Sequence, residues 1–142
     1  MAIAQGATNT FKVGLLDGSF DFGTTTFKIA LYTGAASLGP DTTAYTTDGE
    51  VVASGYTAGG ETLTVTQVPT IGNQTGNATA YLSFSNVAWT SALTARGALI
   101  YKSGSGNPTV CVLDFGADKT SITTFTVQFP AATNTAAIIR IS

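Results

Sequence analysis

The sequence predicts an all-β protein: an antiparallel β-sandwich or jelly roll with one short N-terminal helix. Three observations predict it. Seven or eight short apolar or β-branched runs are separated by turns rich in Gly, Ser, Asn and Pro. Hydrophobic residues make up 44% of the chain and charged residues only 10%, against about 25% in an average domain, and the deficit is filled by Thr, Ser, Gly, Ala and Asn. Two uncharged runs, Ala98–Tyr101 and Thr109–Phe115, bracket Lys102-Ser-Gly-Ser-Gly-Asn-Pro108. Runs without charge on either face read as a hairpin buried on both sides, the centre of a sandwich. The 142 residues suit one domain, 1–142, which can bury roughly 70% of its unfolded surface and needs no staple.

Residues 1–10 are small and polar and read as an extended arm that orders on a partner. Thr10–Gly18 reads as a helix of two turns. Phe11, Leu15 and Leu16 share a face at i, i+4 spacing, Asn9 or Thr10 caps the start, Gly18 ends it and Gly14 weakens it. Ser19–Gly23 turns the chain into a strand at Thr24–Thr33, where Phe27, Ile29 and Leu31 alternate with Lys28, Ala30 and Tyr32. Gly34–Thr47 is a long irregular segment broken by Gly39-Pro40-Asp41 and anchored by Tyr45. Val51–Ser54 is a short strand, Gly55–Gly60 a bend and Glu61–Val68 a strand. Pro69–Thr79 is a second long loop or a hairpin tip, and Ala80–Phe84 a strand. Val87–Trp89 is an apolar cluster and Thr90–Thr94 a turn. After the central hairpin come a loop at Gly116–Ser121, a strand at Ile122–Phe129, a turn at Pro130–Thr135 and a closing strand at Ala136–Ser142.

The formal net charge is −2, and Lys12, Lys28, Arg96, Lys102, Lys119 and Arg140 are spread singly. Nucleic-acid binding is not expected, because it needs clustered cations to displace counterions. No apolar run approaches the roughly 20 residues of a membrane span, and the N-terminus has neither the basic start nor the apolar stretch of a signal peptide. A soluble product made in a cytoplasm is the expectation. A surface of hydroxyls and amides suits a chain packed against copies of itself or other partners, since free monomers rely on net charge for solubility.

No histidine is present, which removes Ser-His-Asp and Cys-His nucleophiles and histidine metal sites. The one cysteine, Cys111, lies in an apolar run and reads as a buried, inert thiol. Asp17 with Asp21 and Asp48 with Glu50 are the closest carboxylate pairs, the type that glycoside hydrolysis or calcium binding needs. Neither gathers enough ligands at short spacing. No catalytic, cofactor-binding or metal-binding residue is assigned, and no enzyme activity is expected. Trp89, Tyr56, Tyr81 and Tyr101 are candidates for a sugar platform or, more simply, for the core. Asn73-Gln-Thr75 and Asn77-Ala-Thr79 match the glycosylation acceptor, as chance allows in a Thr-rich chain. Arg96 is placed to pair with Asp114 or with a partner's carboxylate. Arg96, Lys102 and the Ser103–Pro108 tip are the parts of the hairpin expected to meet a partner.

Several segments together resemble a known family. They are Thr10-Phe-Lys with Leu15-Leu-Asp-Gly18, Thr26-Phe-Lys-Ile-Ala-Leu-Tyr-Thr33, Thr43-Ala-Tyr45 and Gly55-Tyr-Thr-Ala-Gly-Gly60. Ala88-Trp-Thr90, Thr94-Ala-Arg-Gly-Ala-Leu-Ile-Tyr101, Val112-Leu-Asp-Phe-Gly116 and Phe129-Pro-Ala-Ala132 continue the series. In this order and spacing the chain resembles small structural proteins of tailed bacteriophages, of the capsid decoration (cement) or head-fibre type. The resemblance implies a virion protein on the outer capsid surface, made in the bacterial host cytoplasm. It implies the major capsid protein as partner, a homo-oligomer with a trimer favoured, and no catalytic residues. A tail or fibre module that touches a host receptor or glycan is the alternative. On this reading the 1–10 arm and the Gly34–Thr47 and Pro69–Thr79 loops are the contact segments.

Overall fold

The computed structural model describes residues 2–74 and 77–142. In chain order its elements are β1 (Gly6–Ala7), α1 (Asn9–Asp17), β2 (Phe27–Tyr32), β3 (Glu61–Leu63), β4 (Val65–Gln74), β5 (Asn77–Phe84), β6 (Val87–Trp89), β7 (Thr94–Lys102), β8 (Thr109–Thr120), β9 (Phe125–Val127) and β10 (Ile139–Ile141). The strands pair antiparallel in three sheets, ordered β1-β8-β7-β2-β3, β10-β5-β4 and β6-β9. The architecture is the all-β sandwich that the strand pattern predicts.

The hairpin β7–β8 is its centre. Leu99 stands opposite Val112, Ile100 opposite Cys111 and Ala98 opposite Leu113, while β2 flanks β7 from Phe27 opposite Lys102 to Tyr32 opposite Gly97. Successive side chains on a strand point to opposite faces, so the five-stranded sheet feeds two separate cores. One face contributes Phe27, Ile29, Leu31, Ala98, Ile100 and Val110, which pack on Leu82, Phe84, Trp89, Phe125 and Val127 of the two smaller sheets. The other contributes Ala30, Tyr32, Leu99, Tyr101 and Val112, covered by Ala36, Leu38, Ile3 and Tyr45. The segments before α1 and after β2 therefore form a third layer over the sheet.

This layer relocates two of the expected contact segments. The 1–10 arm is extended, but it is docked on its own chain. Ala4 N–H donates to the Leu38 carbonyl at 2.8 Å, Leu38 N–H to Ala2 at 3.1 Å and Thr8 N–H to Val110 at 2.9 Å. Thr8, fully buried, accepts from Phe11 N–H at 3.2 Å and so caps α1 in place of Asn9 or Thr10. The Gly34–Thr47 segment turns Ala36 and Leu38 inward to the same core.

Helix α1 also sits differently from its apolar spacing. Phe11 and Gly14 face inward, whereas Leu15 and Leu16 face out. Gly14 sets this rotation: a Cβ there would lie 2.2 Å from the Phe20 ring, so the helix approaches the body along its glycine side. Phe11 meets Phe20 and Phe22 edge-on, and Phe22 stacks on Phe27 at 4.4 Å, tying the helix to β2. Gly18, left-handed at φ 78°, ends the helix as expected.

Other boundaries shift. Pro69–Thr79 is largely strand, because β4 continues to Gln74 and β5 restarts at Asn77. Pro69 is tolerated there because β4 is an edge strand and its register slips between Gln67 and Thr70. β8 runs on through the expected loop at Gly116–Ser121 as far as Thr120. Val51–Ser54 is not a strand, although Val51 N–H still donates to Leu31 at 2.9 Å. Ile122–Phe129 and Ala136–Ser142 shorten to β9 and β10.

Cys111 is buried in the core as a free thiol. Burial pushes its pKa from 9.0 up to about 12. A raised folded-state pKa means that this contribution to stability is complete below pH 9. Above that it falls by about 1.4 kcal/mol per unit until the folded thiol itself ionises. At pH 8 the native protein is therefore expected to leave a thiol reagent such as Ellman's unreacted over hours, while the denatured chain takes up one equivalent. Rapid native reaction would place Cys111 outside the core.

Candidate interaction surface

The sequence's carboxylate pairs do not form sites. The Asp17 carboxylate accepts from the Ser19 hydroxyl and from Ser19 N–H. Asp21 accepts from Thr24 Oγ1 at 2.7 Å and from Gly23 N–H at 2.8 Å. These hydrogen bonds hold both carboxyl groups below the usual carboxylate range, and both tie down turns at the surface. Asp48 is exposed while Glu50 is buried, so that pair is split between solvent and interior.

Glu50 instead forms a buried polar knot. Its Oε1 accepts from Tyr56 OH at 2.7 Å and from Gly59 N–H at 2.8 Å, and its Oε2 from Tyr45 OH at 2.6 Å. Tyr56 OH in turn accepts from Leu31 N–H at 2.8 Å, and Tyr101 OH donates to the Gly59 carbonyl at 2.7 Å. Tyr45 stacks on Tyr101 with ring centres 4.8 Å apart. Burial, and then the Glu50 carboxylate, raise the Tyr45 hydroxyl's pKa; burial raises that of Tyr56, to which Glu50 adds. The knot seats Gly60, at φ 72°, where a Cβ would lie 1.8 Å from the Ile29 carbonyl oxygen. It joins the outer layer to β2 and leaves every carboxylate oxygen with a donor. Its geometry is that of a clamp.

The sugar-platform aromatics are mostly core. Trp89, Tyr56 and Tyr101 are buried, and only Tyr81 is half-exposed. Arg96 pairs within the chain, its Nε 2.9 Å from Asp114 Oδ1, the single ion pair among the described residues. Lys102 donates to the Ser19 carbonyl at 2.6 Å and lies 5.7 Å from the centre of the Phe20 ring. Of the hairpin parts expected to meet a partner, Gly104, Ser105 and Gly106 are exposed at the tip. The first glycosylation match ends in Thr75, which lies outside the described residues; Thr79 of the second is buried.

The apolar surface lies elsewhere. In the sheet β10-β5-β4, Ile139 stands opposite Leu82, and this row joins the core. Two residues further out, Ile141 stands opposite Ala80, and Ala80 opposite Ile71. By strand periodicity this second row lies on the same face, yet Ile71 is 63% and Ile141 52% exposed. The core face of the sheet therefore overhangs the body. Between this overhang and α1 runs an open cleft of about 470 Å³, lined by Leu15, Phe20, Pro69, Ala80, Ile139 and Ile141 among others. Strands β4 and β10 are the two edges of that sheet.

No apolar overhang is visible in a sequence where Ile71 sits in a Gly/Asn-rich stretch and Ile141 beside the end of the chain. The strand alternation of β5 and β10 was the available signal, and it required the pairing register. Among the described residues no group of three or more His, Cys, Asp or Glu side chains is placed to hold a metal ion. No helix of the described residues is long and apolar enough to cross a membrane. No protein-family model, curated protein or solved structure matches the chain.

Proposed function

We propose that the chain is a structural protein of a tailed-bacteriophage virion, acting as a capsid decoration protein on the outer surface of the shell with the major capsid protein as its partner. The observation that carries the reading is the overhanging apolar row Ile71–Ala80–Ile141, of which Ala80 and Ile141 line an open cleft with Leu15, on a sheet whose two edges are β4 and β10. An apolar side chain entering that cleft from a capsid subunit gains burial, and an extended capsid segment can add to the edge of β4 or β10. The segments that resemble phage virion proteins, notably those in β2, β7 and β8, form the scaffold that presents this face.

The mechanism is mass action. Each copy contributes a modest apolar contact, and many copies bound only to the assembled shell stabilise it. Shells carrying the protein are expected to withstand heat or chelation better than shells lacking it, with a copy number comparable to that of the capsid protein. Ile71→Lys should lower occupancy of the shell while leaving the purified protein folded, because Ile71 is exposed. A handful of copies per particle, located at the tail, would replace this reading with the tail or fibre module.

A further inference from the structure

Helix α1 turns an unexpected face to solvent. Leu16 is 91% and Val13 61% exposed, although nothing in the fold requires large apolar residues there. At 3.6 residues per turn, the outward residues follow one another around the helix as Lys12, Leu16, Val13 and Asp17. Two apolar side chains thus form the middle of the face, with a cation on one flank and an anion on the other. In that order these are the g, d, a and e positions of a coiled-coil seam, with a β-branched residue at a and Leu at d. Among the described residues Lys12 has no ion-pair partner. The Asp17 carboxylate is kept ionised chiefly by its hydrogen bonds from Ser19.

We infer that α1 is a self-association surface on which a second copy of this chain packs its own α1 in parallel, through Val13 and Leu16. Charge decides both the occupant and the direction. In a parallel pair the g position of one helix faces the e position of the other five residues further along, and Asp17 follows Lys12 by five residues. Lys12 of each copy then meets Asp17 of the other. An antiparallel pair would place the two Lys12 flanks side by side and the two Asp17 flanks likewise. The net charge of −2 opposes close approach of copies very little. The inference is independent of the virion reading, since it concerns the purified chain, and it uses a different face from the overhang at Ile71 and Ile141.

One helical turn on each side buries less than the roughly 800 Å² per partner of a tight interface, so the dissociation constant is expected on the order of 10–100 µM. Sedimentation equilibrium from about 1 µM to 1 mM tests it. The expected result is a monomer of 14.4 kDa at the low end and a mass approaching twice that at the high end. Leu16→Glu should keep the chain monomeric throughout with an unchanged circular dichroism spectrum, because Leu16 touches so little of its own fold. Lys12→Glu should weaken association on the order of tenfold, and Lys12→Glu with Asp17→Lys should restore most of it. A chain that stays monomeric at 1 mM, or an oligomer that Leu16→Glu leaves intact, overturns the proposal. Failure of the double reversal to recover what Lys12→Glu loses overturns the parallel arrangement.

Discussion

Val112→Asp is expected to abolish folding. Val112 is fully buried in β8, opposite Leu99 on one side and Gly6 on the other. It lies in the second core, among Ala30, Tyr32, Leu99 and Tyr101 and under the outer layer. A carboxylate there loses its hydration with no cation in the cluster to replace it, which costs several kcal/mol, and the lost valine packing adds about 1–2 kcal/mol. A domain of this size has about 5–15 kcal/mol in total. The variant should therefore show no cooperative thermal transition and should accumulate in the insoluble fraction. Ser105→Ala, at the exposed tip of the same hairpin, should melt within about 2 °C of the parent. A Val112→Asp protein that melts like the parent would mean that the outer face of the sheet is open to water.

That outer face marks the boundary of what the chain discloses before folding. The strands β2, β5, β7 and β8 were legible because alternation and uncharged runs report local burial directly. The third layer was not. Ile3, Ala36, Leu38 and Tyr45 are scattered through Gly-, Thr- and Pro-rich sequence with no period, so nothing local separates a loop that covers its own sheet from one that reaches a partner. Apolar spacing misplaces the rotation of α1 for a related reason. Periodicity counts side chains, whereas here a missing side chain decides: Gly14 is the point of closest approach to Phe20, and that turns Leu16 outward. The same inversion holds at the surface. Candidates chosen for chemical reactivity, Asp17, Asp21, Asp48 and Glu50, serve turns and a clamp or stand alone, while the binding candidates are the hydrocarbons Val13, Leu16, Ile71 and Ile141.

The Glu50 clamp carries the second large effect. Glu50→Ala leaves Tyr45 OH, Tyr56 OH and Gly59 N–H without their acceptor in a buried site. Each unmet donor costs about 1–3 kcal/mol, partly offset because a carboxylate no longer has to be buried. A net loss of about 2–4 kcal/mol is expected, or roughly 8–15 °C in melting temperature. Glu50→Gln should cost half as much or less. Its carbonyl oxygen can still accept from Tyr56 and Gly59, and the Tyr45 hydroxyl can rotate to accept from the new amide. Asp48→Ala, two residues away but in solvent, should change stability by no more than about 0.5 kcal/mol. The clamp holds Gly59 and Gly60 against β2, and the layer it secures covers Tyr32 and Leu99. Glu50→Ala should therefore speed amide hydrogen exchange in residues 45–60 and in β2 before it affects β9 or β10. Equal melting temperatures for the Ala and Gln variants would mean that the tyrosine hydroxyls reach water without Glu50, and the outer layer would then be held by its apolar packing and the backbone bonds of the 1–10 arm.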